Sequence, residues 1–173
     1  MAIAPAFTAP RFTAPARKSA APVDPQALQR LDHQLCFALY SSSLLMTKLY
    51  KPVLGPLGLT YPQYLVLLVL WETDAIGVGE LGARLYLDSG TLTPLLKRME
   101  AAGLVARART AADERRVIVS LTVAGRALRR KAARVPLEVA CATGCPLSDL
   151  AKLTAQLHTL RSHLAGQLDP ALP

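Results

Sequence analysis

The sequence predicts a mainly α-helical chain of the α+β class, and two observations support this fold class. Leucines recur at helical spacing through most of the 173 residues. Near the middle, two extended runs, residues 104–110 and 116–121, follow a helical segment and lie close together along the chain. A helix followed by a two-stranded ribbon with a basic tip is the outline of a winged helix. We therefore expect a winged helix-turn-helix with long N- and C-terminal dimerisation helices.

The chain is expected to form one domain behind a disordered tail. Residues 1–22 are mostly Ala and Pro and cannot bury enough apolar surface to fold. Residues 23–173 have the length of a single domain. In it, residues 61–121 would form the winged-helix region, and residues 23–60 and 122–173 the dimerisation helices. A tail that contacts DNA is the alternative, although three cations, Arg11, Arg17 and Lys18, are few for that role.

The first helix is predicted to begin at Asp24-Pro25, since a carboxylate caps a helix and a proline suits its first position. Apolar residues recur with helical spacing as far as Tyr50, and Lys51-Pro52 with Gly55 and Gly58 would end the helix. The apolar series consists of Leu28, Leu31, Leu35, Leu39, Leu45, Met46 and Leu49.

The middle of the chain predicts a helix-turn-helix. A second helix, apolar all round, runs from Tyr61-Pro62 through Trp71 and should be buried. Residues 76–78 suit a short strand that pairs with the wing, and residues 80–87 suit a third helix. Only a tight turn separates this third helix from the helix that begins at residue 89, so the two form the predicted motif.

The recognition helix of this motif is predicted to begin at Asp88 or Ser89 and to end at Gly103. Pro94 lies a turn inside, so we expect a bent first turn. The apolar stripe consists of Leu92, Leu95, Leu96 and Met99. The opposite face carries hydroxyls and cations that suit a major groove, unless it is only a solvated surface. Its candidate DNA-binding residues are Ser89, Gly90, Thr91, Thr93, Lys97 and Arg98.

The two extended runs are expected to form the wing, joined by residues 111–115. Arg115 and Arg116 would project at or beside its tip, where an arginine can enter a narrow minor groove and bind DNA. Asp113 is expected to pair with Arg115 or Arg107 and so stabilise the wing. The alternative is that Asp113 is a plain turn residue.

After the wing, Thr122 is predicted to cap a long helix, residues 141–146 to break the chain, and residues 147–168 to form the last helix. The long helix exposes either a second phosphate-facing patch or a solvated face, made of Arg126, Arg129, Arg130, Lys131 and Arg134. The terminal helices carry leucine stripes that a small winged helix does not need, so we expect a symmetric dimer. Its recognition helices would lie about 34 Å apart on a pseudo-palindromic operator.

Composition restricts the partners. The net charge of +8 and the isoelectric point near 9.8 favour an anionic partner, either nucleic acid or a membrane surface. The longest apolar run, residues 65–71, is too short to span a bilayer and no signal-like segment opens the chain, so we expect a cytoplasmic protein without membrane contact. Three cysteines make no secreted disulfide framework, and three scattered histidines make no zinc site, so neither a metal nor another cofactor is expected.

Several motifs resemble those of a known family. Residues 31–40 read LDHQLCFALY, residues 60–64 read TYPQY, and residues 85–94 read LYLDSGTLTP. Together with Tyr-Lys-Pro at 50–52 and Asp-Glu-Arg at 113–115, they resemble the organic-hydroperoxide-sensing repressors, a branch of the multiple-antibiotic-resistance (MarR) regulators. The similarity covers the chain except for its N-terminal tail.

The resemblance implies a redox-sensing transcriptional repressor and not an enzyme. In that family an organic hydroperoxide oxidises the reactive cysteine, Cys36 here, to a sulfenic acid, and two tyrosines hold it, by position Tyr50 and Tyr61. Fourteen helical residues separate Cys36 from Tyr50 by about 21 Å, so a Tyr50 that contacts this thiol must belong to the partner subunit. Because Cys36 is several turns from the predicted helix start, the helix dipole is expected to contribute little.

Cys141 and Cys145 imply the family's two-cysteine type, in which a thiolate of the other subunit attacks the sulfenic acid. Cys141 is the expected resolving residue, and Cys145 is the alternative. The resulting intersubunit disulfide would release the operator. By residue type alone, Cys36 also suits a small apolar side chain in the core. Two other functions stay as alternatives: a repressor switched by a small-molecule ligand, and a thiol peroxidase, which fits the basic DNA-facing surface poorly.

Overall fold

The computed structural model describes residues 27–110 and 113–167. The side chains of residues 27, 110 and 113–115 lie outside this description. The expected tail, the expected helix start at Asp24-Pro25 and the side chains of Asp113 and Arg115 therefore lie outside the described residues.

Helices make up most of the described chain. They are α1 (Leu35–Leu54), α2 (Tyr61–Glu72), α3 (Val78–Leu85), α4 (Ser89–Ala101), α5 (Val123–Lys131), α6 (Val135–Ala142) and α7 (Leu147–Ala165). The strands are β1 (Ile76–Gly77), β2 (Val105–Thr110) and β3 (Asp113–Leu121). This order of elements confirms the predicted fold class, a mainly helical winged helix-turn-helix with a helix pair at α3 and α4.

The three strands form one antiparallel sheet in the order β1-β3-β2. Ile76 pairs with Val119, so the short strand before α3 joins the wing as predicted. The expected wing loop over residues 111–115 is wrong, because β3 begins at Asp113, which pairs with Thr110. An irregularity in the register between Arg109 and Thr110 lets the ladder continue, and only residues 111–112 connect the strands.

The core is built on the predicted apolar stripe of α4. Leu92, Leu96 and Met99 are at most 1% exposed and join the apolar side of α2 in one cluster. Fully burying such a side chain stabilises the fold by about 1.5–3 kcal/mol. Because this stripe is buried, the opposite face of α4 must face solvent.

Helix α1 begins later and ends later than the sequence predicts. Two 3-10 turns, Ala27–Gln29 and Leu31–His33, precede it, and Gln34 has extended backbone angles (φ −87°, ψ 111°), so the helix starts at Leu35. Pro52 lies inside the last turn. A proline removes only its own backbone hydrogen bond there, and the chain stays helical until Leu54.

The region after the wing is not the single long helix that we expected. Thr122 caps α5, as predicted, since its hydroxyl accepts a hydrogen bond from Gly125 N at 3.0 Å. Helix α5 then ends at Lys131, and a 3-10 turn leads into α6 at Val135. The physical reason is Pro136 at the start of α6, because proline cannot donate the hydrogen bond that a continuous helix needs.

The other predicted boundaries need smaller corrections. The third helix spans Val78–Leu85 and not residues 80–87, because Tyr86 adopts a left-handed conformation that ends it. Gly144, at φ 69°, makes the predicted break between α6 and α7. Helix α7 ends at Ala165. The bend expected at Pro94 stays a prediction.

Helix α5 packs very closely against the start of the wing. Trp71 Nε1 donates a hydrogen bond to Gly125 O at 3.0 Å, and the Thr122 hydroxyl donates to Gly103 O at 2.6 Å. A Cβ atom at position 125 would lie 2.1 Å from Leu104 O. Only glycine fits at this crossing.

Two long helices leave their apolar sides in solvent. On α1, Leu35, Tyr40 and Leu45 are exposed, as are Leu147 and Leu153 on α7. Helix α7 has no buried residue along its 19 residues. The described residues of one chain therefore leave uncovered the leucine stripes that the sequence assigned to a dimer interface.

Within residues 27–110 and 113–167, no single helix is both long and apolar enough to cross a membrane. The segments Leu35–Leu57 and Tyr61–Glu72 reach that length and composition only when taken together, and they are bent by 71°.

Replacing Gly125 with Ala should destabilise the protein by about 1–3 kcal/mol, because the new methyl group overlaps the carbonyl of Leu104. Urea unfolding followed by circular dichroism measures the change. The matched control is Gly79→Ala in α3, where nothing lies within 4 Å of the added Cβ, and this variant should be as stable as the wild type or more so. Equal midpoints for the two variants would show that the crossing is not tight.

Candidate nucleic-acid interface and thiol site

Asp88 fixes the start of α4. Its Oδ1 accepts a hydrogen bond from Thr91 N at 2.8 Å, and its Oδ2 accepts one from the Thr91 hydroxyl at 2.8 Å. These hydrogen bonds hold the pKa of Asp88 below its ordinary value, so its carboxylate stays charged at neutral pH. A negative charge at a helix N-terminus is favourable, which explains why the helix begins here.

The face of α4 opposite the core presents most of the predicted DNA-binding residues. Ser89, Gly90, Thr91, Lys97 and Arg98 are exposed. The Thr91 hydroxyl donates its proton to Asp88, so its oxygen can act toward another molecule mainly as a hydrogen-bond acceptor.

The sixth predicted residue of α4, Thr93, is half-buried and lies at a groove. This groove has a volume of about 660 Å³ and lies between α4, the start of α3 and the wing strands. Ser89 and Thr93 line it on the side of α4, and Arg107 and Arg116 line it on the side of the wing. Arg116 was expected at or beside the tip, as the first residue of the second extended run; it lies within β3 near its start, is exposed and lines this groove.

An ion pair connects α4 to the wing. Arg107 Nη2 lies 2.6 Å from Glu100 Oε2, Arg107 Nε donates to the same oxygen at 2.9 Å, and Arg107 N donates to Glu100 Oε1 at 3.1 Å. The hydrogen bonds from the Arg107 side chain lower the pKa of Glu100. Sequence reasoning offered Arg107 as a partner of Asp113 and missed Glu100, because no spacing rule relates the end of a helix to the following strand.

A second ion pair holds the base of the wing. Asp74 Oδ1 accepts hydrogen bonds from Leu121 N and Ala75 N, both at 2.8 Å, and its Oδ2 lies 3.4 Å from Arg126 Nη2. Arg126 Nη1 also donates to Leu121 O at 2.9 Å. Arg126 therefore has a structural partner, whereas four other cations of the expected basic face are exposed: Arg129, Arg130, Lys131 and Arg134.

Cys36 is the second residue of α1 and is exposed. The expectation that it lies several turns from the helix start is wrong, because the preceding residues form 3-10 turns. The first α-helical hydrogen bond runs from Ala38 N to Gln34 O, and Gln34 supplies no side-chain cap. The N–H groups of the first turn have no partner within the helix, so Cys36 lies at an end that favours negative charge.

Tyr50 and Tyr61 lie together, with ring centres 4.4 Å apart, and the Tyr64 ring centre is 6.0 Å from that of Tyr50. Burial raises the pKa of Tyr50, and its tyrosine neighbours raise it further. Burial also raises the pKa of Tyr61. At neutral pH their hydroxyls therefore stay protonated and can donate hydrogen bonds. Tyr64 was not among the predicted site residues, although it lies three residues after Tyr61 on one helix face.

The structure does not bring Cys36 to these tyrosines within one chain. Cys36 and Tyr50 lie on the same continuous helix α1, fourteen residues apart, which corresponds to about 21 Å along its axis. A hydrogen bond requires about 3 Å. Cys36 and the tyrosine pair, the two parts of the predicted sensor, therefore lie near opposite ends of helix α1.

Cys141 and Cys145 lie at the end of α6 and just after it. All three thiols are free and exposed. Cys145 Sγ lies 3.7 Å from Thr143 O, and Cys145 N donates to the Thr143 hydroxyl at 3.2 Å. Among the described residues, no group of three His, Cys, Asp or Glu side chains could hold a metal ion.

Comparison with known proteins relates this chain to transcriptional regulators. Residues 48–131 match the family model of the transcriptional regulator SarA/Rot. The organic hydroperoxide resistance transcriptional regulator of Bacillus subtilis (strain 168) is 51% identical over 131 residues, which cover 76% of this chain and 89% of that protein. The HTH-type transcriptional regulator TtmR of Methylorubrum extorquens (strain PA1) is 50% identical over 141 residues, which cover 82% of this chain and 71% of that protein.

Among solved structures, the chain is similar to AbfR, a protein of Staphylococcus epidermidis. Reduced AbfR bound to DNA is 36% identical, with a TM-score of 0.67 over 80% of this chain and 96% of that chain. Overoxidised AbfR bound to DNA is 37% identical and gives a TM-score of 0.65. This match covers 80% of this chain and 98% of that chain. The disulfide-formed state of AbfR is 38% identical and gives a TM-score of 0.54. This match covers 78% of this chain and 95% of that chain.

The Glu100–Arg107 pair predicts how stability depends on pH. The pKa of Glu100 is lowered in the folded state from its ordinary value of 4.5. The contribution of this carboxylate is therefore present above about pH 4.5 and is lost as the pH falls through the folded pKa. We expect the urea midpoint of the wild type to fall more steeply below that pH than the midpoint of Glu100→Gln. The pKa of Asp88 is lowered in both proteins, so the difference between the two curves isolates Glu100, and parallel curves would contradict the prediction.

Proposed function

The chain belongs to the organic hydroperoxide resistance regulators of the MarR-type winged-helix family of transcriptional regulators, and we propose that it is a redox-sensing repressor. The reduced dimer binds operator DNA, and an organic hydroperoxide releases it by oxidising Cys36. One observation carries this proposal: Cys36 is exposed at the start of a helix whose exposed apolar residues no other described residue covers.

DNA binding is assigned to α4 and the wing. An α-helix fits the major groove, and the exposed side of α4 offers Lys97 and Arg98 for phosphates or guanine edges and the hydroxyls of its first turn for other contacts. The Glu100–Arg107 pair keeps the wing in a constant position relative to α4. The net charge of +8 favours association with DNA at low salt. Reduced AbfR, which has this fold, is bound to DNA in its structure.

The dimer is assigned to the uncovered sides of α1 and α7. Leucines such as Leu35, Leu45 and Leu153 are little more than half exposed, so burying the rest of each one would contribute roughly half of the 1.5–3 kcal/mol that full burial provides. A second copy supplies the same kind of surface, so a twofold arrangement buries both. Two recognition helices would then read the two halves of a pseudo-palindrome.

The dimer also completes the sensor. Two α1 helices that cross antiparallel bring the tyrosine pair at the end of one helix to Cys36 at the start of the other. Tyr50 and Tyr61 of the partner subunit would donate hydrogen bonds to the Cys36 thiolate. Hydrogen bonds of this kind favour the thiolate, which is the nucleophilic form of a cysteine.

The chemistry takes two steps. The Cys36 thiolate attacks the peroxide oxygen of ROOH, an S–O bond forms while the O–O bond breaks, and the alkoxide takes a proton to leave as ROH. The thiolate of Cys141 of the partner subunit then attacks the sulfur of the sulfenic acid, and water leaves as the disulfide forms. Over the two steps, Cys36 and Cys141 are oxidised to the disulfide and the hydroperoxide is reduced to ROH and water, with no other reactant required.

The disulfide would link α1 of one chain to the end of α6 of the other. Both elements belong to the part of the dimer that sets the distance between the two winged-helix regions. A disulfide shifts the DNA-binding equilibrium only if it favours one of two arrangements. AbfR has been solved with its disulfide formed as well as reduced on DNA, which supports two such arrangements in this family.

We expect about one equivalent of cumene hydroperoxide per chain to release the wild-type protein from DNA and to leave Cys36→Ser bound. Fluorescence anisotropy of a labelled duplex from upstream of the protein's own gene measures this release. The matched control is Cys145→Ser, which removes a thiol of similar exposure and should behave as the wild type does. If both wild type and Cys36→Ser are released, or neither is, the redox mechanism is wrong and a small-molecule ligand becomes the better candidate.

The same oxidation should produce a covalent dimer on a non-reducing gel. Wild type and Cys145→Ser are expected to run as dimers and Cys141→Ser as a monomer, because Cys141 is the proposed resolving thiol. Addition of dithiothreitol should return every sample to the monomer position. A dimer from Cys141→Ser that disappears when Cys145 is also replaced would assign the resolving role to Cys145.

A further inference from the structure

Helix α7 reaches the helix-turn-helix through one long side chain. The Arg161 guanidinium carbon lies 4.7 Å from the centre of the Tyr86 ring, which is the geometry of a cation–π contact. Tyr86 lies in the turn between α3 and α4, and Arg161 lies near the end of α7. The C-terminal helix therefore touches the turn that presents the recognition helix.

The turn at Tyr86 is strained and tightly packed. Tyr86 has a left-handed backbone (φ 55°, ψ 39°), which is unfavourable for a residue with a bulky side chain. Leu87 N donates a hydrogen bond to Gly82 O at 3.0 Å, and a Cβ atom at position 82 would lie 2.9 Å from Leu87 O. Asp88, the cap of α4, follows directly. A displacement of Tyr86 is therefore passed to the start of the recognition helix.

The Tyr86 side chain is 66% exposed, so it contributes little to the core. Its contact with Arg161 is a surface contact, in which the guanidinium lies over the ring.

Helix α7 connects the thiol region to the helix-turn-helix as one continuous helix of 19 residues. It begins at Leu147, two residues after Cys145, and Arg161 lies about 21 Å further along its axis. It has no buried residue, so the core does not fix its position. The segment at its start carries Cys141 and Cys145, and its far end lies at the helix-turn-helix.

We propose that α7 holds the helix-turn-helix in its DNA-binding orientation through the Arg161–Tyr86 contact, and that the disulfide at Cys141 breaks this support by moving the start of α7. The second part rests on the proposed redox function. The first part concerns the reduced protein alone and does not depend on it. Arg161 and Tyr86 are positioning residues in this proposal, since they act through the turn and α4.

A double-mutant cycle on the reduced full-length protein tests the support. We expect Tyr86→Leu and Arg161→Met each to weaken binding to the labelled upstream duplex by about two- to fivefold, the range that an exposed cation–π contact provides. The double variant should bind no more weakly than Arg161→Met, because the contact can be lost only once and Tyr86→Leu then has nothing further to remove. Tyr86→Phe, which keeps the aromatic ring, and Arg161→Lys, which keeps the charge, should retain most of the affinity.

Loss of a positive charge weakens DNA binding in any case, so Arg161→Met needs a matched control. Lys152→Met removes one charge from the same helix, where Lys152 Nζ lies 3.4 Å from Asp149 Oδ1. Its effect is subtracted from that of Arg161→Met. Losses that simply add in the double variant, or an Arg161→Met loss no larger than that of Lys152→Met, overturn the proposed support.

The oxidised protein tests the transmission. After treatment with cumene hydroperoxide, the double-mutant cycle should show no interaction between positions 86 and 161. The ratio of DNA affinities between reduced and oxidised protein should therefore be smaller for each single variant than for the wild type. Disulfide formation on a non-reducing gel should be unchanged. An interaction of equal size in both states overturns the transmission. If peroxide does not release the wild type, the redox function fails by itself, and the cycle on reduced protein still decides the role of α7.

Discussion

The burial of one side of α4 is the constraint on which the DNA-reading surface depends. Leu92, Leu96 and Met99 are almost completely removed from water, which fixes the rotation of the helix about its own axis. The cations on the opposite side must then face outward. Glu100 extends this constraint to the sheet, because it lies at the end of α4 and binds both the backbone and the side chain of Arg107. These contacts connect α4 directly to the wing.

The length of α1 sets a second constraint, on the sensor. A continuous helix cannot bring its first residues to its last, so Cys36 and the tyrosines around Tyr50 cannot meet within a chain. The uncovered apolar sides of α1 and α7 favour the partner that would bring them together. On the proposed function, dimerisation and peroxide sensing are thus the same structural requirement, since the second subunit both buries the leucines and completes the thiol site. The late start of α1 adds to this, because it moves Cys36 to the end of the helix dipole.

Regulation then depends on how the thiol region is connected to α4. Within the part of the chain that the structure describes, the end of α6 carries Cys141, and α7 leads from there to Tyr86. The strained backbone at Tyr86 makes the turn sensitive to a small displacement, because little freedom is left at that residue. The proposed coupling therefore needs no pathway through the core. It needs only that α7, which has no residue buried in the core, can change its position.

Local patterns determined the fold class, the position of α4 and the two caps at Asp88 and Thr122, because each of these depends on residues within a few positions of one another. The motif resemblance also located the cysteines and the tyrosine pair. The break before α6 also has a local cause, Pro136, which the expectation of one long helix overlooked. The partners of Arg107 and Asp74 could not be predicted in the same way, because they depend on tertiary contacts, and Asp74 binds Leu121 across 47 positions of the chain. An ion pair or hydrogen bond between distant segments leaves no periodic signal in a sequence, so only the folded structure decides which charges meet.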